Sequence, residues 1–201
     1  MLHIEPDSFP QEDDVHIITL KILPRRLFDK PAECFEDHST VMVEILPNNL
    51  ELMHPAKLSL PHCLILKKAN ASEVQVFHSH HAKDQQPDWE NITKSVLYTL
   101  LPHCCEIWIE KFSWIKYTIS GREVEGKKLF LYTLGKKCTK ASNFITAEVG
   151  FFPALPGNDR ITHDEADFIT SSKRTVSVLR GSCRFQIVLN ADISSPSLLG
   201  S

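Results

Sequence analysis

The stretch Pro55-Ala56-Lys57-Leu58-Ser59-Leu60-Pro61 constrains this chain most. Leu58 and Leu60 point one way and Lys57 and Ser59 the other, the period of a strand with one buried and one wet face. The same alternation returns along the sequence. It occurs in His16 to Ile22, where Ile18, Leu20 and Ile22 are expected to face inward, in Val41 to Ile45, and in Ser72 to Phe77. Glu106 to Ile119 holds two strands' worth of residues, with Lys111-Phe112-Ser113 as the bend, and shorter runs recur at Leu129 to Tyr132, Ile145 to Phe151, Thr175 to Val178 and Arg184 to Leu189. Turn residues separate the runs, including Pro24, Pro47-Asn48-Asn49, Ser120-Gly121 and Pro156-Gly157-Asn158. No ten-residue apolar helical pattern joins them, so a parallel sheet lacks its crossover helices. The reading is all-β: an antiparallel β-sandwich followed by a second β-rich segment.

The same punctuation divides the chain. Residues 1–14 read as a mobile lead-in, 15–120 as the sandwich, 121–193 as the second β-rich segment and 194–201 as a loose tail. Hydrophobic residues make up 42% and charged ones 23%, enough for a packed core. A formal net charge of −3 gives no bulk attraction to nucleic acid or an anionic membrane surface. No run of eighteen apolar residues occurs, and Met1 to Asp7 lacks the basic and apolar regions of a signal peptide, so neither membrane insertion nor secretion is expected. Six cysteines without a C-x-x-C spacing suit reduced thiols and a cytoplasmic location. Asn70-Ala71-Ser72 and Asn91-Ile92-Thr93 fit the glycosylation pattern and are expected to be chance matches.

Several residue sets invite chemistry. Phe77-His78-Ser79-His80-His81 opens a polar loop running to Asp88, and His78 and His80 share a strand face. With His62, Cys63, His103, Cys104 and Cys105 they could supply metal ligands, but the spacing matches no zinc signature, so a solvated loop, no metal and no cofactor are expected. A Cys/His nucleophilic pair lacks an identifiable orienting residue or oxyanion loop. Only seven glycines occur, without a phosphate-binding string. Lys127-Lys128 and Lys136-Lys137 read as ordinary wet surface. Asp164, Glu165 and Asp167, after a Thr162 N-cap, form an acidic segment. That segment and the Phe77 to Gln86 loop, with Phe77, His78, His80 and His81, are the regions expected to face a partner.

Pro55-Ala56-Lys57-Leu58-Ser59-Leu60-Pro61-His62-Cys63 resembles the P-V-x-L-x-(L/M)-P-H-C signature of the ZU-five domain, shared by zonula occludens proteins, ankyrins, netrin receptors and a death-domain adaptor. Trp89 and the run Cys104 to Ile109 follow in the family's order, and the resemblance extends from Val41 to Ile119. The family's Gly-Gly-rich opening hairpin is missing. After Gly121 the chain is distantly similar to the UPA domain that commonly follows.

The resemblance implies a non-enzymatic intracellular interaction module of a scaffold or signalling adaptor. Its settings would be cytoskeletal anchoring, receptor tails or death-domain signalling in apoptosis. Its partners would be other proteins, among them an adjoining UPA-like or death domain. An alternative also comes from the family, some of whose members cut themselves at His-Phe-Ser. Here Lys111-Phe112-Ser113-Trp114 stands at that place, with Lys111 replacing the histidine; a lysine at its ordinary pKa is a poor base. A metal-dependent binding module is the third reading.

Overall fold

The computed structural model describes residues 1–9, 17–23, 35–81, 86–136, 147–158, 168–170 and 174–181. Its strands, in chain order, are β1 (Leu2–His3), β2 (Thr19–Ile22), β3 (Met42–Leu46), β4 (Glu51–Pro61), β5 (Leu64–Leu66), β6 (Glu73–Ser79) and β7 (Glu90–Asn91). They continue with β8 (Tyr98–Leu100), β9 (Cys104–Lys111), β10 (Trp114–Ser120), β11 (Val124–Lys136), β12 (Ala147–Pro153), β13 (Phe168–Thr170) and β14 (Arg174–Leu179). Among the described residues the helical content is one 3-10 turn, Ala69–Ala71, and no helix is long and apolar enough to cross a membrane.

The fold is the expected all-β, sandwich-like arrangement of antiparallel sheets. One sheet has the order β1-β4-β9-β8 and a second the order β2-β3-β10-β6-β7. Their inward residues form one core. Ala56, Leu58 and Leu60 of β4 and Cys105, Ile107 and Ile109 of β9 meet Val43 and Ile45 of β3, Val74 and Val76 of β6, and Ile115, Tyr117 and Ile119 of β10. Leu58 and Leu60 are fully buried, as their alternation demands. The Tyr117 hydroxyl spans the layers and donates to the Leu60 carbonyl at 2.9 Å. Leu155, from the loop after β12, joins the same core.

The third sheet is built on β11. Gly126 and Lys127 pair with both β5 and β14, and Leu129 to Leu131 pair with both β12 and β14. One edge of β11 therefore carries β5 and then β12, and the other carries β14. Near its end, Leu134 to Lys136 pair with β13. The turn into β11 passes Gly121 at φ 126°, a conformation that favours glycine.

The structure departs from two expectations at its first strands. Residues 1–9, read as part of a mobile lead-in, run along β4: Leu2 pairs with Leu58, His3 with Lys57, and the Met53 N–H donates to the Ser8 carbonyl at 2.7 Å. The outer side of β4 has backbone groups to satisfy, and Leu2 and Ile4 pack against the core. Ile22, expected to be buried, pairs with the core residue Val43 but is 43% exposed, because β2 is the edge strand of its sheet; Ile18 and Leu20 pack against the core. The expected strand Arg184 to Leu189, the acidic Asp164, Glu165 and Asp167, and the tail 194–201 lie outside the described residues.

Candidate functional site

The bend between β9 and β10 is clamped from below by the turn between β3 and β4. The Phe112 N–H donates to the Leu50 carbonyl at 2.9 Å, the Asn49 N–H donates to the Phe112 carbonyl at 2.9 Å, and the Ile45 N–H donates to the Ser113 carbonyl at 3.2 Å. Asn49 reaches its place with φ 67°, which asparagine tolerates better than most residues. Phe112 fills the core, and Ser113 is 1% exposed. Lys111 is paired with Glu51, its Nζ 3.1 Å from Glu51 Oε1.

The ladder between β10 and β6 then brings the histidines alongside. Trp114 pairs with Ser79 and Ile115 with His78. His78 Nε2 lies 2.9 Å from Glu90 Oε2, an ion pair only when the imidazole is protonated. The His78 and His80 rings meet edge-on at 4.6 Å. Ser79 Oγ and His81 Nδ1 share a hydrogen bond of 3.0 Å, and the His81 ring stands edge-on to Trp114 at 4.3 Å. Partial burial, then the neighbouring His78 and Lys111, lower the pKa of His80 below the ordinary histidine value. Phe77, His78 and Ser79, expected in a polar loop, are instead the end of β6, held by the β10 and β7 ladders; with Lys111-Phe112-Ser113 they converge at one end of the sandwich. Residues 82–85 of that loop lie outside the described residues. Phe77 faces the other side of β6, where the Lys116 ammonium lies 5.3 Å from its ring centre and 4.0 Å from that of Trp89.

A cleft of about 310 Å³ opens at this end. Ile92, Val96, Leu97, Trp108 and Ile115 give it apolar lining, while His78, Glu110, Lys111 and Ser113 bring polar groups. It exists because β8 is short. The last bond holding that segment to β9 runs from the Trp108 N–H to the Leu97 carbonyl at 2.9 Å, and the chain then turns away, with the Val96 N–H donating to the Ile92 carbonyl. Leu97, at the point of departure, is 65% exposed. None of Leu97, Trp108 or Glu110 was singled out from sequence. One signal was there: Val96-Leu97-Tyr98 is apolar at three consecutive positions, and a strand cannot turn all three inward.

The opposite end of β4 and β9 gathers the other histidines and cysteines. Pro61 pairs with Cys104, and the His62 N–H donates to the His103 carbonyl at 3.1 Å, so the two Pro-His-Cys strings lie side by side. His62 is 6% exposed, and its Nε2 donates to the Leu101 carbonyl at 3.0 Å, while among the described residues no hydrogen bond to Nδ1 is formed. Burial, the leading cause, lowers its pKa. Cys63, Cys104 and Cys105 are buried and in no disulfide, and burial pushes the Cys105 thiol up to about 12, which removes thiolate chemistry near neutrality. Among the described residues no group of three or more His, Cys, Asp or Glu side chains is placed to hold a metal ion.

Comparison with protein-family models and with curated proteins gives no match for this chain.

Proposed function

We propose that this chain is a non-enzymatic protein–protein interaction module of an intracellular scaffold or signalling adaptor, a ZU-five-like sandwich with a UPA-like β-rich segment after it. The observation that carries the interaction reading is the open end of the sandwich. There an unfinished strand edge borders an apolar cleft, with Leu97 held out at 65% exposure. Exposed edges and apolar pockets of this kind are the means by which sheets take up extended segments. The buried cysteines Cys63, Cys104 and Cys105, none of them in a disulfide, suit a reducing cytoplasm. Affinity capture from a cytosolic extract tests the reading, with wild-type chain compared with Leu97→Asp. Proteins retained by the wild type and lost by the variant are expected. A retained set no different from that of an unrelated β-sandwich sinks it.

One observation favours self-cleavage as a second reading: Ser113 and His78 line the same cleft. Attack of Ser113 Oγ on the Phe112 carbonyl carbon would form a C–O bond and break the C–N bond, releasing the Ser113 amine. Water would then open the ester, leaving a Phe112 carboxylate and a free hydroxyl. The Asn49 N–H already polarises that carbonyl, and a histidine from β6 would take the role that Lys111, engaged with Glu51, does not. On a denaturing gel this reading gives fragments of 112 and 89 of the 201 residues, abolished by Ser113→Ala. A single full-length band after prolonged incubation rejects it.

A further inference from the structure

We infer that the open end of the sandwich takes up an extended, basic–apolar peptide segment as an added strand on β9, with Glu110 as the residue that selects its charge. The inference rests on the interaction reading above and deepens it.

The backbone supplies the first argument. Residues two apart on a strand direct their amide groups to the same side. The Trp108 N–H points to the β8 side, since it donates to the Leu97 carbonyl. The N–H and carbonyl of Glu110 therefore face the space that β8 has vacated. Glu110 has no counterpart in the register of β9 with β8 or with β4. An incoming strand would continue the ladder where Leu97 leaves it.

Side-chain alternation supplies the second. The Glu110 side chain lies on the outer face with Trp108, whereas Ile109 is buried toward the core. The peptide residue opposite Glu110 would share that outer face. Its two neighbours would turn inward to the cleft lined by Ile92, Val96 and Ile115. The segment that fits is apolar at those two positions and polar between them.

Charge supplies the third. Glu110 is exposed and forms no ion pair among the described residues, while the nearby Lys111 is taken up by Glu51. Glu90, paired with the cleft-lining His78, has only that histidine as its described ion-pair partner. Among the described residues the fixed charge left uncompensated at the mouth is negative. A lysine or arginine opposite Glu110 complements it and can lie against the Trp108 ring.

The test is fluorescence anisotropy with two labelled octapeptides, one alternating Val and Lys, the other alternating Val and Glu, at low ionic strength. The basic peptide is expected to bind at least about tenfold more tightly than the acidic one. Glu110→Lys, at an exposed unpaired position, is expected to lower binding of the basic peptide about tenfold and to raise that of the acidic one. N-methylation of the central lysine, which removes one ladder donor, is expected to weaken binding by a similar factor. Equal binding of both peptides, unchanged binding to Glu110→Lys, or no binding to the wild type overturns the inference. The broader interaction reading falls only if the capture experiment also fails.

Discussion

The two ends of the β4–β9 pair carry similar residues and put them to opposite use. At one end His62, Cys63, Cys104 and Cys105 are sealed by the adjoining Pro-His-Cys strings, and the polar atoms bond to backbone or are buried. At the other, His78 and His80 lie beside a cleft with Ser113, Glu110 and Lys111, within reach of a ligand. The difference is made by strand length. β4 and β9 run together to Pro61 and Cys104, whereas β8 stops after covering Cys105 to Ile107 and leaves β9 open beyond Trp108. A histidine or cysteine in the sequence therefore says little about chemistry until the neighbouring strand's end is known.

Four measurements break or sharpen that contrast. The largest effect is expected in the core shared by both ends. Leu58→Ala should cost about 2–5 kcal/mol in urea unfolding, because a fully buried side chain leaves a cavity. A cost near zero would mean that the two layers are not packed as described.

The closed end should respond to acid. The folded-state pKa of His62 lies below its unfolded value of 6.5, so below that pH the unfolded chain takes up the proton first. Stability present above pH 6.5 is therefore lost as pH falls below it. His80 shifts in the same direction but is largely exposed, and contributes less. Thermal melting followed from pH 7.5 to 5 should fall less steeply in His62→Gln than in wild type; parallel profiles contradict the sealed environment.

Removing the hydroxyl that spans the layers, in Tyr117→Phe, should cost about 1 kcal/mol. The smallest effect belongs to the open end. Leu97→Asp should change stability by no more than about 0.5 kcal/mol, since its side chain is already in water. A large loss would show that Leu97 is structural and that the cleft is not a free surface.

The sandwich was legible where strands are half-buried. In β4, β9 and β10 the alternation of Leu58 and Leu60, Ile107 and Ile109, and Ile115, Tyr117 and Ile119 states which face is inside. The short elements were not legible. Leu2–His3 is too short to show a period, and Leu64–Leu66, apolar throughout, does not reveal that its partner is β11, some sixty residues away. The candidate site was half legible. The bend at Lys111-Phe112-Ser113 and the histidines at 78, 80 and 81 were both visible, but their meeting depends on the β6–β10 register, in which Ile115 lies opposite His78. Glu110 and Leu97 matter through the strand that is missing beside them, and a single sequence does not record an absent neighbour.

The thirteen residues of β11 carry a mechanical consequence. Leu64–Leu66 belongs in sequence to the front half of the chain but is hydrogen-bonded to Val124 to Lys127, and the Lys128 N–H reaches the Cys63 carbonyl at 2.7 Å. A pull on the downstream sheet is thus transmitted along β11 to the end of β4, loading those bonds in shear. Severing the chain at Gly121 to harvest the front half would strip β5 of its ladder and leave its amides to water. The two halves are better handled, expressed and stretched as one piece.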